Sequence, residues 1–359
     1  MTIAALSVVA ETSEAHGGSV DGAGRCGWNL ADRPAACRRS LFACGVALAL
    51  SFFVFSSCCS LAQLDGHAAV DPEFARRANV GPESVRIVEA QWQDAARKRT
   101  IRARIYMPAS PGPHPVIIFT HGLGNSRFGY EYLGRFWASH GYVSVHPQHP
   151  NLALVGRGWI YRYFAGWDHR YWKLIPADIS FVIDELTGGE GLAPQVRGSL
   201  DLDRLAVAGH SLGAYAAFAV AGLQQRDGGT LRDPRIVAAI PMSMSENFAT
   251  SAYDAVAIPV LNLTGTCDSD LFYGNPASSR RVPFESTTRD DQYLVTLTGA
   301  THSIFSDDET PENRAAHDVI RASTLAFLDA YVRGDAVARA WLRERLGQDV
   351  RSVATVERH

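Results

Sequence analysis

Lysine is nearly absent from this 359-residue chain: only Lys98 and Lys173 occur, and arginine carries the rest of the positive charge. Codon bias in a GC-rich genome accounts for that preference, since the arginines are scattered. The basic residues form no long block and the formal net charge is -3, so a nucleic-acid partner is not indicated. Cysteine is scarce where a folded domain would use it. Cys26, Cys37, Cys44, Cys58 and Cys59 crowd the first sixty residues, and only Cys267 lies beyond. No spacing suits a cysteine metal site, and a chain shorn of its N-terminus would keep one thiol and no internal disulfide. No internal repeat is visible, which excludes solenoid architectures. What remains, 47% apolar and 20% charged residues, is the composition of an ordinary globular protein with a large core.

Residues 1–35 show no convincing period and read as a disordered or misassigned N-terminal extension. Residues 36–62 have the layout of a secretory signal: Arg38-Arg39, an apolar stretch from Leu41 to Phe55, and a small-x-small Ser60-Leu61-Ala62. Arg38-Arg39-Ser40-Leu41-Phe42 faintly resembles a twin-arginine signal. The run is also long enough to anchor the chain in a bilayer, and Phe55-Ser56-Ser57-Cys58 is a poor lipoprotein box. The expectation is export to a periplasmic or extracellular location, with a membrane or lipid anchor as the alternative.

Residues 63–359 read as one catalytic domain. Ser84–Trp92 and Ile101–Met107 alternate like a hairpin. Val116–Thr120, Tyr142–His146, Leu205–Ala208, Ile236–Ile240, Pro259–Thr264 and Gln292–Leu297 read as strands. Tyr130–His140, Leu174–Leu186, Leu212–Leu223, Glu312–Val332 and Ala336–Leu346 read as helices. The alternation predicts an α/β fold with a mostly parallel sheet of about eight strands and helices on both faces.

The most telling segment is Gly209-His210-Ser211-Leu212-Gly213-Ala214, set between an apolar strand and a helix rich in small residues. It fits G-x-S-x-G, in which a strained turn exposes a serine at the start of a helix. A serine hydroxyl is a weak nucleophile unless a histidine takes its proton and a carboxylate orients that histidine. With such a turn the order is serine, acid, histidine, and catalytic groups in open α/β sheets gather at the carboxyl ends of strands. After Pro259–Thr264 comes Gly265-Thr266-Cys267-Asp268-Ser269-Asp270, so Asp268 is the expected acid and Asp270 its rival. After Gln292–Leu297 comes Thr298-Gly299-Ala300-Thr301-His302, and His302 is the expected base. His121, His146 and His149 come too early in the chain for that role. His317 falls inside a helix, as a surface or packing residue. The oxyanion needs backbone donors. The N–H groups of Leu212 and of Leu123, in His121-Gly122-Leu123-Gly124, are the candidates.

With these motifs in hand the chain resembles an α/β-hydrolase over about residues 84–332. Thr120-His121-Gly122-Leu123-Gly124, Ala138-Ser139-His140-Gly141-Tyr142-Val143, Gly209-His210-Ser211-Leu212-Gly213 and Gly299-Ala300-Thr301-His302 are most similar to the plasma-type platelet-activating-factor acetylhydrolases and the bacterial predicted dienelactone hydrolases. The resemblance implies a serine ester hydrolase without metal or organic cofactor, with Ser211 and His302 as nucleophile and base. Two departures stand out. The acetylhydrolases carry their acid after the strand equivalent to Ile236–Ile240, where this chain reads Pro241-Met242-Ser243. True dienelactone hydrolases use a cysteine in place of Ser211.

The expected reaction is cleavage of a small-molecule or lipid ester through an acyl-enzyme. Phospholipid, polyester or peptide substrates on the same triad are the alternatives, and a non-catalytic binding protein of the same fold is the remote one. An aromatic cap segment near 157–173 carries Trp159, Tyr163 and Trp167, which either bind substrate or pack the cap onto the sheet.

Overall fold

The computed structural model describes residues 71–149, 169–189, 191–244, 250–269 and 275–359. All of them belong to one compact unit, Cys59–His359. The expected extension, the signal or anchor segment, most of the cap including Trp159, Tyr163 and Trp167, and Asp270 lie outside the described residues. Among the described residues no helix is long and apolar enough to cross a membrane.

In chain order the main elements are α1 (Pro72–Ala78), β1 (Val85–Asp94), β2 (Arg99–Pro108), β3 (His114–Thr120), α2 (Glu131–Ser139), β4 (Val143–Pro147), α3 (His169–Gly188), β5 (Leu200–His210), α4 (Leu212–Ala221), β6 (Ile236–Met242), β7 (Val260–Cys267), β8 (Gln292–Thr301), α5 (Arg314–Tyr331), α6 (Ala336–Glu344) and β9 (Ala354–Arg358). The nine strands form one sheet in the order β1-β2-β4-β3-β5-β6-β7-β8-β9. The six strands from β4 to β8 run parallel, and β1, β2 and β9 add antiparallel edges.

Sequence alternation builds the two sides of this sheet. Successive side chains on a strand point to opposite faces. Val116 and Ile118 of β3 and Leu205 and Val207 of β5 enter one core with Ile175, Ile179 and Val182 of α3. Their neighbours Ile117, Phe119, Ala206 and Ala208 enter the other with Phe136, Trp137, Leu325 and Leu328. Both faces are covered, so the central strands read as unbroken apolar runs. α4 is apolar and small-residued all round, and Gly213–Ala221 are all buried, as expected of a helix wedged between sheet and α3. This is the α/β-hydrolase architecture.

The sheet exceeds the expected eight strands because β9 pairs outside β8 from Tyr293↔Arg358 to Leu297↔Ala354. Its sequence, Ala354-Thr355-Val356-Glu357-Arg358, is short and largely polar, typical of an edge. α1 was not foreseen either. Asp71 caps it by accepting from Glu73 N (2.8 Å) and Phe74 N (3.3 Å), and Pro72 supplies a preset first turn. Arg77 anchors it to α5 through Asp329 at 3.1 Å.

Cys267 is not a free thiol. It is disulfide-bonded, and its partner lies outside the described residues. Cys267 is still the one cysteine of residues 63–359, as the sequence reads.

Candidate active site

The strand–turn–helix expected around Ser211 is formed by β5 and α4. Ser211 has φ 57° and ψ -118°, a conformation rarely adopted by a side-chain-bearing residue, and it is partly exposed. Its N–H donates to Met242 O at 2.9 Å, which ties the turn to the end of β6. The glycines make the turn possible. A Cβ on Gly213 would lie 2.0 Å from Thr120 O, and one on Gly209 would lie 2.4 Å from Gly213 O. The backbone of β3 therefore passes directly under the serine. Leu212 opens α4, so its N–H has no acceptor within the helix. Gly122, after β3, faces the same point, since its Cβ would lie 3.3 Å from Ser211 Cβ.

β7 and β8 are adjacent parallel strands, and their carboxyl ends hold the other two candidates. Asp268 is fully buried just past β7. His302 follows β8 directly, at the head of a 3₁₀ turn (His302–Phe305) whose Ile304 and Phe305 are buried. β8 runs past the expected Leu297 to Thr301, so His302 stands directly at the strand end. A close approach aligns the two ends: a Cβ on Gly265 would lie 2.1 Å from Ala300 O. His302 Nδ1 lies 2.8 Å from Asp268 Oδ1. An ionised carboxylate only accepts, so Nδ1 carries the proton and Nε2 is left as the basic nitrogen.

Asp268 is satisfied on both oxygens. Thr264 Oγ1 donates to Oδ2 at 2.9 Å, and Ser243 Oγ donates to the same oxygen. Arg280, also buried, places Nε 3.4 Å from Oδ1 and donates to the Asp268 and Ser243 carbonyls at 3.1 and 3.0 Å. Burial alone would push the carboxyl up. The hydrogen bond from His302, the Arg280 charge and the Ser243 hydroxyl outweigh it and hold Asp268 below the usual carboxylate range. Arg280 Nη2 comes within 3.4 Å of His302 Nδ1, and this pair is a contact between two donors.

His210, beside the serine, links three loops. Its Nε2 lies 3.0 Å from His302 O, and its Nδ1 lies 2.8 Å from Tyr130 Oη. A carbonyl only accepts, so Nε2 bears the proton and Tyr130 donates to Nδ1. Burial, then the neighbouring His302, pushes His210 well below the ordinary imidazole range. His121 and His146 are also buried, and burial takes each down to about 3. His317 packs on Tyr132, ring centroids 4.7 Å apart. It is fully buried, a packing residue and not a surface one.

The expected Leu123, Ser211, Leu212, Asp268 and His302 therefore follow the carboxyl ends of β3, β5, β7 and β8, with β6 between β5 and β7. Ser243, Arg280, His210 and Tyr130 were not foreseen as parts of the site. Ser243 had one sequence signal, its place at the strand end where the acetylhydrolases keep an acid. From the aromatic segment, Trp172 is described. It packs edge-on against Tyr215 of α4 with centroids 4.2 Å apart, so this end of the segment serves packing.

Among the described residues no group of three or more histidine, cysteine or acidic side chains is arranged to hold a metal ion. A family model described as Chlorophyllase matches residues 77–158. The matched stretch runs from the end of α1 through β4 and includes His121-Gly122-Leu123-Gly124, but stops before Ser211. No curated protein matches the chain. The chain has the α/β-hydrolase architecture, and over residues 77–158 it is similar to the chlorophyllase family, itself part of the α/β-hydrolase superfamily.

Proposed function

We propose that this chain is a serine hydrolase of carboxylic esters, with Ser211 as nucleophile, His302 as base and Asp268 as acid. The observation that carries the reading is the 2.8 Å contact between His302 Nδ1 and Asp268 Oδ1, beside a serine held at positive φ. The likeness to the chlorophyllase family over residues 77–158 supports the same reading.

In this reading Ser211 Oγ attacks the ester carbonyl carbon while His302 Nε2 takes its proton. Asp268 keeps the imidazole in the right tautomer and stabilises the imidazolium. The backbone N–H groups of Leu123 and Leu212 receive the developing oxyanion. The tetrahedral intermediate collapses, the alcohol leaves with the proton from His302, and an acyl–Ser211 ester remains. A water then attacks that ester with His302 again as base, releasing the acid and the free serine.

Turnover of p-nitrophenyl esters of graded acyl length tests the reading. Wild-type chain hydrolyses at least one of them, and Ser211→Ala lowers kcat by about 10⁴-fold or more. Equal turnover by Ser211→Ala would overturn it.

A further inference from the structure

A second group of buried polar residues lies outside the Ser211–His302–Asp268 set, and it leads to the loop after β3 that abuts Ser211. Asp178, on α3, is fully buried. It accepts two parallel hydrogen bonds from Arg99, Nη1 to Oδ1 and Nη2 to Oδ2, both at 2.8 Å, and a third from Arg97 Nη1 at 2.7 Å. His149 Nδ1 lies 3.2 Å from Asp178 Oδ2. The carboxylate fixes the His149 proton on Nδ1. The His149 backbone N–H then donates to His121 Nε2 at 3.3 Å, and Gln148 Nε2 lies 3.4 Å from the same nitrogen.

These contacts determine the His121 tautomer. A backbone N–H can only donate, so His121 Nε2 is the acceptor and Nδ1 bears the hydrogen. Nδ1 lies 3.0 Å from the carbonyl oxygen of Gly122 and donates to it. Asn125 N donates to that oxygen as well, at 3.2 Å. Two donors therefore hold the carbonyl end of the Gly122–Leu123 peptide. The peptide is planar and trans, so its C=O and N–H point in opposite directions. Fixing the oxygen fixes where the Leu123 N–H points. Gly122 itself abuts Ser211.

We propose that His121 is a positioning residue that aims the Leu123 N–H at the substrate oxyanion, and that the Arg99–Asp178–His149 cluster holds His121 in the tautomer this requires. The inference rests on the esterase reading above and assigns a role to buried polar groups that the triad does not use. It also explains why a cluster of this charge is buried beside a loop of glycines: donor direction matters more to catalysis than the stability a hydrophobic filling would add.

The test compares His121→Gln with His121→Asn. Gln keeps an acceptor near the Nε2 position but has no donor where Nδ1 stood. Asn places its amide nitrogen where Nδ1 stood and keeps the bond to Gly122 O. Each is assayed on a matched ester and thionoester, whose C=S sulfur accepts hydrogen bonds weakly and gains less from an oxyanion donor. His121→Gln should lose about ten- to a hundredfold in kcat on the ester with little change in KM, and much less on the thionoester. The ester-to-thionoester ratio therefore collapses, whereas His121→Asn keeps it high. Equal losses on both substrates, equal ratios in both variants, or an unchanged ratio in His121→Gln would overturn the proposal. Absence of ester turnover in the wild-type chain would instead strike the esterase reading itself.

Discussion

The carbonyl oxygen of His302 accepts a hydrogen bond from Nε2 of His210, at 3.0 Å. The residue preceding the candidate nucleophile thus holds the backbone of the candidate base, and through Nδ1 it is held by Tyr130. His210→Leu leaves the His302 carbonyl and the Tyr130 hydroxyl without these partners. Each buried unsatisfied group costs about 1–3 kcal/mol. Urea unfolding should therefore show a loss of about 2–6 kcal/mol for the two groups, with lower kcat. His210→Gln, which can accept from Tyr130 and donate to His302, should recover most of both. Unchanged stability in His210→Leu would contradict this role.

Ser243 and Asp268 predict that the acid can be moved. Ser243 directly follows β6, has φ 56°, and directs its hydroxyl at the Asp268 carboxylate. Asp268→Asn should lower kcat by about 10³–10⁴-fold through loss of the His302 tautomer. Adding Ser243→Asp restores a carboxylate from the neighbouring strand end, and kcat should rise again by at least about tenfold. No recovery in a folded double variant would show that a carboxylate at 243 does not serve His302.

The buried histidines make stability sensitive to acid. Burial pushes His121 and His146 from 6.5 to about 3. In the unfolded chain they protonate near 6.5, so between pH 6.5 and 3 the unfolded state binds more protons than the folded one. Their contribution is thus present above pH 6.5 and is lost as pH falls, by up to about 1.4 kcal/mol per pH unit for each. Asp268, held below the usual range, acts in the same sense at lower pH. Its stabilisation is lost only as pH falls through its unfolded value and then its folded one. Denaturant midpoints at pH 7 and pH 5 check this, with a clear drop expected at pH 5. Activity should also fall in acid, because His302 must be neutral to accept the serine proton. A flat stability profile would contradict burial of these histidines as neutral groups.

Gly213 cannot become alanine without moving β3. Its Cβ would lie 2.0 Å from Thr120 O and 2.9 Å from His121 O, both backbone atoms. Gly213→Ala should cost about 1–3 kcal/mol as overpacking and displace Leu212, so kcat falls with the thermal midpoint. Wild-type values of both would mean that the strand and the turn do not approach so closely.

Much of this fold was legible because strand and helix signals in the parallel core are strong. The run Leu205-Ala206-Val207-Ala208 followed by small residues could hardly be anything but a buried strand and a tightly packed helix. Asp268 and His302 were legible because chain order places each after an apolar strand. What escaped had no local signal. β9 is a polar edge, and α1 is a capped helix of about two turns that depends on Arg77 reaching Asp329. Arg280 is one arginine among many, and only tertiary packing brings it to Asp268. The His210–Tyr130 and His121–His149–Asp178 contacts join residues from separate strands, loops and helices, which periodicity does not report.

Fluorophosphonate labelling followed by peptide mass mapping tests Ser211 as a nucleophile served by His302 and Asp268. One phosphonyl adduct per chain is expected, located on Ser211. The adduct is absent in Ser211→Ala and forms at least about 10³-fold more slowly in His302→Ala. An adduct on another residue, or undiminished labelling of Ser211→Ala, would contradict it.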